Sequence, residues 1–497
     1  MRFDTKAELT DQDVQSGLKN VVRDGITSQT MLTLTSGVFL IAYALEMGAS
    51  NLAIGIIAAI PPLSQLFQIP SIYLVEKYRA RKKITFFSAV TSRFFLLLIA
   101  LIPFFVSMRN GLIMLTTMLL LHTSINAVVV CSWNSWMRDL VPQDRLGTFF
   151  STRLKYSLIP AMLLSLSAGL FIDAWENYTG LEVVFCYSVL FVLGFFAGMI
   201  GTAIIYRIPE PKMVRPEQRI PFLELLTNPF KDRNYKKLIM FLGSWNFAVN
   251  LAAPFFTVYL LRRLNYGMGV VMGLTVLSQF TYFTFVRVWG RIADRFSNKS
   301  VLVVSGNLFM ICILLWTFTT LPEKYFLTMP LLIVIHVFMG VSIAGIALSS
   351  GNIGLKLAPK GEATSYLAAH NLINSMAAGF APIIGGTFAD FFTKREFSWA
   401  ISWSTPRDAF MFETLNFRGL DFFFFFAFLI GLYSLHRLSI VQETGDVKEK
   451  VVIDEFFSMT SNKLRNLSTA GGLRYMHQFP ERFSRSKRRR KKGNTNK

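Results

Sequence analysis

Charge is scarce in this sequence. Only 16% of its 497 residues are Asp, Glu, Lys or Arg, whereas a soluble chain carries roughly a quarter. Cysteine is scarcer still. The three present, Cys131, Cys186 and Cys312, all fall inside apolar stretches, which excludes a disulfide framework and a thiolate metal centre. The five histidines, His122, His336, His370, His436 and His477, show no ligand spacing. No metal site or cofactor is expected, and a membrane enzyme such as a lipid-modifying transferase lacks a visible nucleophile or metal cluster. There is no Gly-x-x-x-x-Gly-Lys-Ser/Thr phosphate loop, so a self-contained ATP-driven pump is excluded. The opening stretch Met1–Arg23 is polar and mixed in charge. It has no short apolar core before a small-residue cleavage site, and no signal peptide is expected.

What is abundant is apolar. Hydrophobic residues make up 52% of the chain, with 48 phenylalanines, which read as bulk greasy surface. Stretches of about 20 residues, each able to cross roughly 30 Å of hydrocarbon, recur near 26–47, 51–75, 84–106, 111–136, 154–173, 182–206, 237–261, 268–289, 301–320, 327–350, 364–390 and 420–440. Twelve spans place both termini on one side. The loops 76–83, 138–153, 207–236, 287–300 and 351–363 are rich in Lys and Arg and are expected to be cytoplasmic, so both termini are too. The opposite loops are short and poor in basic residues, except 391–419, whose Trp399 and Trp403 suit a membrane interface. The domain plan is an N-terminal segment (1–25), a six-helix bundle (26–206), a linker (207–236), a second six-helix bundle (237–441) and a tail (442–497) that ends in a basic run, Arg485 to Lys492. The net charge of +21 is concentrated in loops and in that tail. This suits anionic lipids of the inner leaflet and not nucleic acid.

An internal repeat supports two equal halves. Leu140-Val141-Pro142 returns as Leu357-Ala358-Pro359, 217 residues later. At that same offset Phe149 meets Tyr366, Arg153 meets His370, Gly169 meets Gly386 and Asp173 meets Asp390; at 218, Glu76-Lys77-Tyr78 meets Asp294-Arg295-Phe296. A nearly constant offset across loops and helices implies a duplicated bundle with the same topology in each half.

The segment from Gly290 through Asp294 and Arg295 to Lys299 resembles the signature loop of the major facilitator superfamily, which joins helices two and three and again eight and nine. Ser297 and Asn298 replace the usual Gly and Arg, and the first-half copy keeps only Glu76 and Lys77 in the acidic and basic places, with Ile72 for the glycine. Trp133–Arg153 is also similar to bacterial members. The resemblance covers about 20–440. It implies an all-α membrane protein of twelve transmembrane helices in two pseudo-symmetric six-helix bundles, working by alternating access as a monomer in a bacterial inner membrane. It also implies that the signature loops are gates. Asp294 is expected to face the start of helix five near Ser151–Arg153, and Glu76 the start of helix eleven near Thr364, because a carboxylate is held well by the N–H groups that open a helix.

Polar groups deep in apolar helices are costly and usually face the interior or a watery cleft. The family's helices one, four, seven and ten line that cleft. The candidates are therefore His122 and Asn126, one turn apart, Asn246 and Asn250, likewise, and His336, with Thr33 and Tyr43 in helix one and Asn371 and Asn374 in helix eleven. An interhelical hydrogen bond is the plainer role for each. Arg93, near the middle of helix three, needs a partner that the sequence does not identify. No Asp or Glu lies at the midpoint of a helix, so proton coupling would fall to His122, His336 or Glu46; downhill uniport stays open. Asp173 and Asp390, at equivalent helix ends, read as architecture. The neutral polar set favours a carrier of a small hydrogen-bonding solute such as a sugar. Efflux of amphipathic drugs and a non-transporting sensor or assembly factor are the alternatives.

Overall fold

A computed structural model describes residues 5–6, 9–142, 145–213, 227–320, 323–359, 363–405 and 409–467. Among them, twelve helices are long and apolar enough to cross a membrane. They are α1 (Asp11–Glu46), α2 (Asn51–Tyr78), α3 (Arg81–Phe105), α4 (Asn110–Leu140), α5 (Leu146–Tyr178), α6 (Val183–Tyr206), α7 (Arg233–Arg263), α8 (Met268–Arg295), α9 (Asn298–Trp316), α10 (Thr328–Leu357), α11 (Ser365–Phe392) and α12 (Leu420–Ser439). The spans expected from apolar runs are all present. The basic run at Arg485–Lys492 lies outside the described residues, as does most of the linker.

Packing confirms the duplication. In the first half α1 packs on α5 and α6, α2 on α4, and α3 on α4 and α6. In the second half α7 packs on α11 and α12, α8 on α10, and α9 on α10 and α12. Every pair recurs with its helix numbers raised by six. Each bundle has its own aromatic core. Tyr43 packs against Tyr187 and Phe191 in the first, and Trp316 gathers Phe256, Tyr259 and Phe424 in the second. The bundles meet chiefly along α2 with α11 and α5 with α8. We call the face that carries the chain ends the terminal face, and the other the far face.

Four features depart from the sequence reading. First, α1 begins at Asp11, inside the N-terminal segment (1–25) set apart from the first bundle, because Thr10 and Asp13 form a reciprocal capping box. Second, α1 breaks at Ser36, which is extended, and Gly37, which takes φ +58 where only glycine is unstrained. Third, the first residues of the interdomain linker are tied down. β1 (Thr5–Lys6) pairs in parallel with β2 (Glu210–Pro211). Fourth, the far-face segment between α11 and α12 folds as an antiparallel hairpin, β3 (Glu396–Ser404) with β4 (Ala409–Arg418), and the tail forms a further helix, α13 (Glu449–Leu467). The membrane-spanning part is all-α, and the hairpin is an addition to it.

Candidate functional site

The interface between the bundles is fastened at the far face. Asp390, ending α11, accepts the Asn51 and Leu52 amides that open α2, at 3.1 and 2.9 Å. Asp173, ending α5, accepts the Gly269 amide in the first turn of α8 at 2.8 Å. These two contacts are copies of one another under the internal repeat, and in each a carboxylate meets unpaired N–H groups at a helix start, where the dipole favours negative charge. Arg262 adds a third tie, donating to the Ala49 carbonyl at 3.1 Å.

Small residues let the helices close to that distance. A Cβ at Gly55 would come within 2.2 Å of the Pro382 carbonyl oxygen, and one at Gly386 within 2.4 Å of the Asn51 carbonyl oxygen. At Gly169 it would meet the Met272 side chain at 2.7 Å. Backbone carbonyls cannot move aside, so the far-face seam of α2 with α11 depends on glycine.

The terminal face is different. There neither Asp294 nor Glu76, the acidic residues of the two signature loops, makes a hydrogen bond or ion pair across the interface among the described residues. Asp294 is exposed and bonds nothing on α5, so its expected contact near Ser151–Arg153 is corrected for this conformation. The physical reason is that α5 begins at Leu146, which leaves the Ser151–Arg153 amides inside the helix and not at its start, and the Arg153 side chain is held within its own half. Its guanidinium lies 3.6 Å from Asp24, donates to the Val21 carbonyl at 3.2 Å and stacks over Trp133. Glu76 is half-buried at the end of α2, and Lys77 beside it lies over the rings of Tyr73 and Tyr78. The Thr364 side chain lies outside the described residues. Nothing crowds a Cβ built at Gly290.

The second signature loop is instead held by its own half. Glu443, after α12, accepts the Asn298 amide at 3.2 Å and the Lys299 amide at 2.7 Å, and pairs with Lys356 at 2.8 Å. Asp446 binds Lys299 Nζ at 2.7 Å, and Glu455 of α13 binds Arg295 at 2.6 Å. Phe456 stacks on Trp289. The first half has the matching cap. Glu210, after α6, accepts the Arg81 amide at 2.7 Å where α3 begins. Burial pushes the Glu210 carboxyl up, while the Lys82 and Arg81 amides and the Arg81 guanidinium pull it down. The sequence reading missed both carboxylates. The residues they cap, Arg81 and Asn298, are 217 apart and could have been matched, but the hairpin shifts everything after α11 out of that register.

The membrane-embedded candidates divide into two sets. Tyr43, His122 and His336, expected at the cleft, point into single bundles. Tyr43 donates to the Ile99 carbonyl at 3.0 Å. His122 Nδ1 lies 2.8 Å from the Ser92 carbonyl, and His336 Nδ1 the same distance from that of Leu332. A carbonyl only accepts, so both rings carry the proton on Nδ1. The asparagines are brought together. Asn246 Nδ2 donates to Asn374 Oδ1 across α7 and α11 at 3.0 Å, and Asn250 donates to the Asn246 carbonyl at 2.8 Å. Asn371 is exposed one turn from Asn374, and Asn126 and Thr33 are half-buried. Glu46 is exposed at the far end of α1. Arg93 is buried and lies within the electrostatic reach of buried Asp24, but its Nη1 has no hydrogen-bond partner among the described residues, and it is Arg153 that pairs with Asp24. Gly198 makes room for Arg93, since a Cβ there would sit 3.0 Å from its Cδ.

Two repeated bundles of six apolar helices, fastened to one another at the far face, define a multi-pass membrane protein with the fold of membrane transporters. The chain belongs to the Major Facilitator Superfamily, whose family model matches residues 25–382. An uncharacterized MFS-type transporter, YxiO of Bacillus subtilis (strain 168), is 22% identical over 200 residues, 39% of this chain. That match spans 45% of YxiO, less than half its length. Among solved structures, a mutant of the nucleoside transporter NupG aligns over 86% of this chain and 100% of its own, with TM-score 0.66 and 12% identity. A POT family transporter in complex with a thioalcohol-conjugated peptide aligns over 86% and 98%, with TM-score 0.62 and 12% identity. A bacterial homolog of the human lysosomal transporter Spinster, inward-facing and unoccupied, aligns over 92% and 99%, with TM-score 0.53 and 12% identity. At these identities the likeness is one of fold.

Proposed function

We propose that the chain is a secondary carrier that moves a small polar solute by alternating access, with both termini in the cytoplasm and the far face outside the cell. One observation carries this reading. The Asp173 and Asp390 ties fasten the far face through a repeated pair of helix-start contacts, while the equivalent terminal-face groups, Asp294 and Glu76, hold nothing across the interface. A gate with one face latched and the other free is what a rocking pair of bundles requires. With cytoplasmic termini, this conformation opens inward.

Asn126, Asn246, Asn250, Asn371, Asn374 and Thr33 supply uncharged donors and acceptors within the membrane-spanning helices, which suits a sugar-like or nucleoside-like solute. For proton coupling, the carbonyl-bonded His122 and His336 and the exposed Glu46 are weaker candidates than buried Asp24, whose charge state governs its hold on Arg153. The test is uptake into proteoliposomes of a panel of labelled sugars and nucleosides, with and without an inward proton gradient. Flux of one class, accelerated by the gradient and uncoupled in Asp24→Asn, supports the reading. Flux of amphipathic dyes alone would replace it with drug efflux. Absence of any flux, together with stable capture of a partner protein, would replace it with a sensor or assembly factor.

A further inference from the structure

The first bundle buries charges at places where the second does not. Asp24 of α1, Arg93 of α3 and Arg153 of α5 correspond, at the repeat offset of 217, to Phe241, Met310 and His370. Packing agrees with this match. In the first half Arg93 lies against Gly198 of α6, and Asp24 lies against Gly201 one turn on. In the second half Met310 lies against Gly431 of α12, and the Phe241 carbonyl accepts the Ser434 hydroxyl at 3.1 Å. Gly198 and Gly201 precede Gly431 and Ser434 by 233 residues, the same step that separates the capping carboxylates Glu210 and Glu443. One scaffold is thus built twice, and at these places only the first copy carries a carboxylate and two guanidiniums. Charge inside a membrane-spanning bundle is costly, and the second copy shows that the packing does not require it.

The three charges are unevenly paired. Asp24 is buried and accepts the Ser28 hydroxyl at 3.1 Å. The Arg153 guanidinium lies 3.6 Å from it, longer than the roughly 2.7–2.9 Å of a tight charge-assisted bond. Arg93 is only 5% exposed, its Nη1 lacks a hydrogen-bond partner among the described residues, and the charge of Asp24 is within its reach. The two arginines also differ in what carries them. α3 packs on α4 and α6 of its own half, whereas α5 packs on α8 of the other half as well as on α1. A Cβ at Gly25 would come within 2.8 Å of Arg153 Nε, so α1 meets α5 through a residue with no side chain to interlock. On the other side, a Cβ at Gly198 would sit 3.2 Å from Arg93 Nε and one at Gly201 3.4 Å from Asp24 Oδ1. Residues three apart are neighbours on a helix surface, so the carboxylate and the second guanidinium border one bare strip of α6.

We propose that Asp24 changes partner during transport: Arg153 holds it while the terminal face is open, and Arg93 holds it across the bare strip of α6 when that face closes. This inference rests on the alternating-access reading. Closing the terminal face carries the start of α5 towards the second bundle and draws Arg153 away from α1, while Arg93 stays with α6. A buried carboxylate left without a cation is strongly disfavoured, and the second guanidinium removes that penalty from the closed form. Arg93 is a positioning residue of the cycle, acting through Asp24 and not on the solute.

The experiment reads the far face of the full chain in detergent and needs no solute. Ala59, buried on α2 one turn beyond Gly55, is replaced by cysteine, and its labelling by a water-soluble maleimide is measured against the chain without that change. Closing the terminal face opens the far one, so faster labelling reports more of the Arg93-paired form. Arg93→Met copies the residue of the second half and keeps the packing. It should slow labelling about tenfold, the worth of a hydrogen bond to a charged group, and Arg93→Lys should restore most of the rate. Arg153→Gln should speed labelling by a similar factor. In Asp24→Asn protein neither arginine change should have a further effect. Unfolding midpoints report whether each variant is folded, and Arg93→Gln serves if Arg93→Met is not. A merely structural Arg93 would lower the midpoint and leave the labelling rate alone. That result, with a rate that still moves in Arg153→Gln or Asp24→Asn, would overturn the exchange and keep alternating access. Arginine effects that persist undiminished in Asp24→Asn would also overturn it. One labelling rate in every variant would reject the alternating-access reading together with the exchange.

Discussion

Asp390 reaches across the bundle boundary to the Leu52 amide at 2.9 Å, just as Asp173, its counterpart in the repeat, reaches the Gly269 amide at 2.8 Å. Two residues that look architectural in the sequence thus join opposite halves of the molecule. A carboxylate at a helix start is worth about 0.3–1 kcal/mol when exposed and up to ~2 when partly buried. Replacing both with Asn keeps side-chain volume and an acceptor oxygen but removes the charge. Asp173→Asn with Asp390→Asn should therefore release the far face by roughly tenfold in population. A cysteine placed at Ser50 reads the result: its labelling rate from the far side should rise. An unchanged rate would show that the glycine seam alone keeps that face shut.

That seam makes a sharper prediction. Gly55→Ala and Gly386→Ala each place a methyl group against a backbone carbonyl, at 2.2 and 2.4 Å. Neither carbonyl can rotate out of the way, so the far face should be unable to close. Solute should still bind from the far side while turnover is lost. Gly290→Ala, where a Cβ meets open space, should leave this conformation intact. Any loss of activity it causes would mean that the terminal face needs close approach at that position when it shuts.

Helix count, duplication and the place of the signature loops are legible because bilayer thickness and offset repeats act on whole segments. Pairing of single side chains is not legible in the same way. His122 and Asn126 share one helix face in the sequence, yet the ring turns back to the Ser92 carbonyl while the amide stays half-buried. One turn of helix fixes a direction to within a wide arc and does not say which neighbour fills it. Arg93 and Asp24 sit 69 residues apart, and only the shared packing of α1 and α3 on α6 brings their charges within reach of one another. The hairpin was hidden for another reason: its alternating pattern falls in a segment whose aromatics read equally well as an interfacial loop.

The clasp on the second signature loop should be insensitive to mild acid. Burial alone would raise the Asp446 carboxyl, but hydrogen bonds from Lys299 and Ser300 outweigh it and hold the group below the usual 3.8. A carboxyl lowered on folding stabilises the clasp at every pH above its ordinary value, and that contribution disappears only as pH falls through the lower, folded one. Protease susceptibility of α13 should thus stay flat across the neutral and mildly acidic range. Lys299→Gln should raise it at neutral pH by a small factor, since a partly exposed pair contributes about 1 kcal/mol or less. Phe456→Ala should raise it more, because the ring stacked on Trp289 covers apolar surface.

The asparagines of α7 and α11 and the histidine of α10 should separate solute contact from scaffolding. Asn374→Ala removes the acceptor of the Asn246 amide, but that amide retains the Leu242 carbonyl at 2.9 Å, so the loss of stability should stay near 1 kcal/mol. If the pair borders the transport path, KM should rise several-fold with the far-face labelling rate unchanged. His336→Ala is the opposite case. It leaves a cavity beside Trp316, whose ring lies 5.6 Å from the imidazole, and should lower the unfolding midpoint by several degrees while KM stays at the wild-type value. Transport assays and thermal unfolding on the same two purified variants decide between these roles. A KM effect at His336 with none at Asn374 would move the solute path from the α7–α11 side of the interface into the interior of the second bundle.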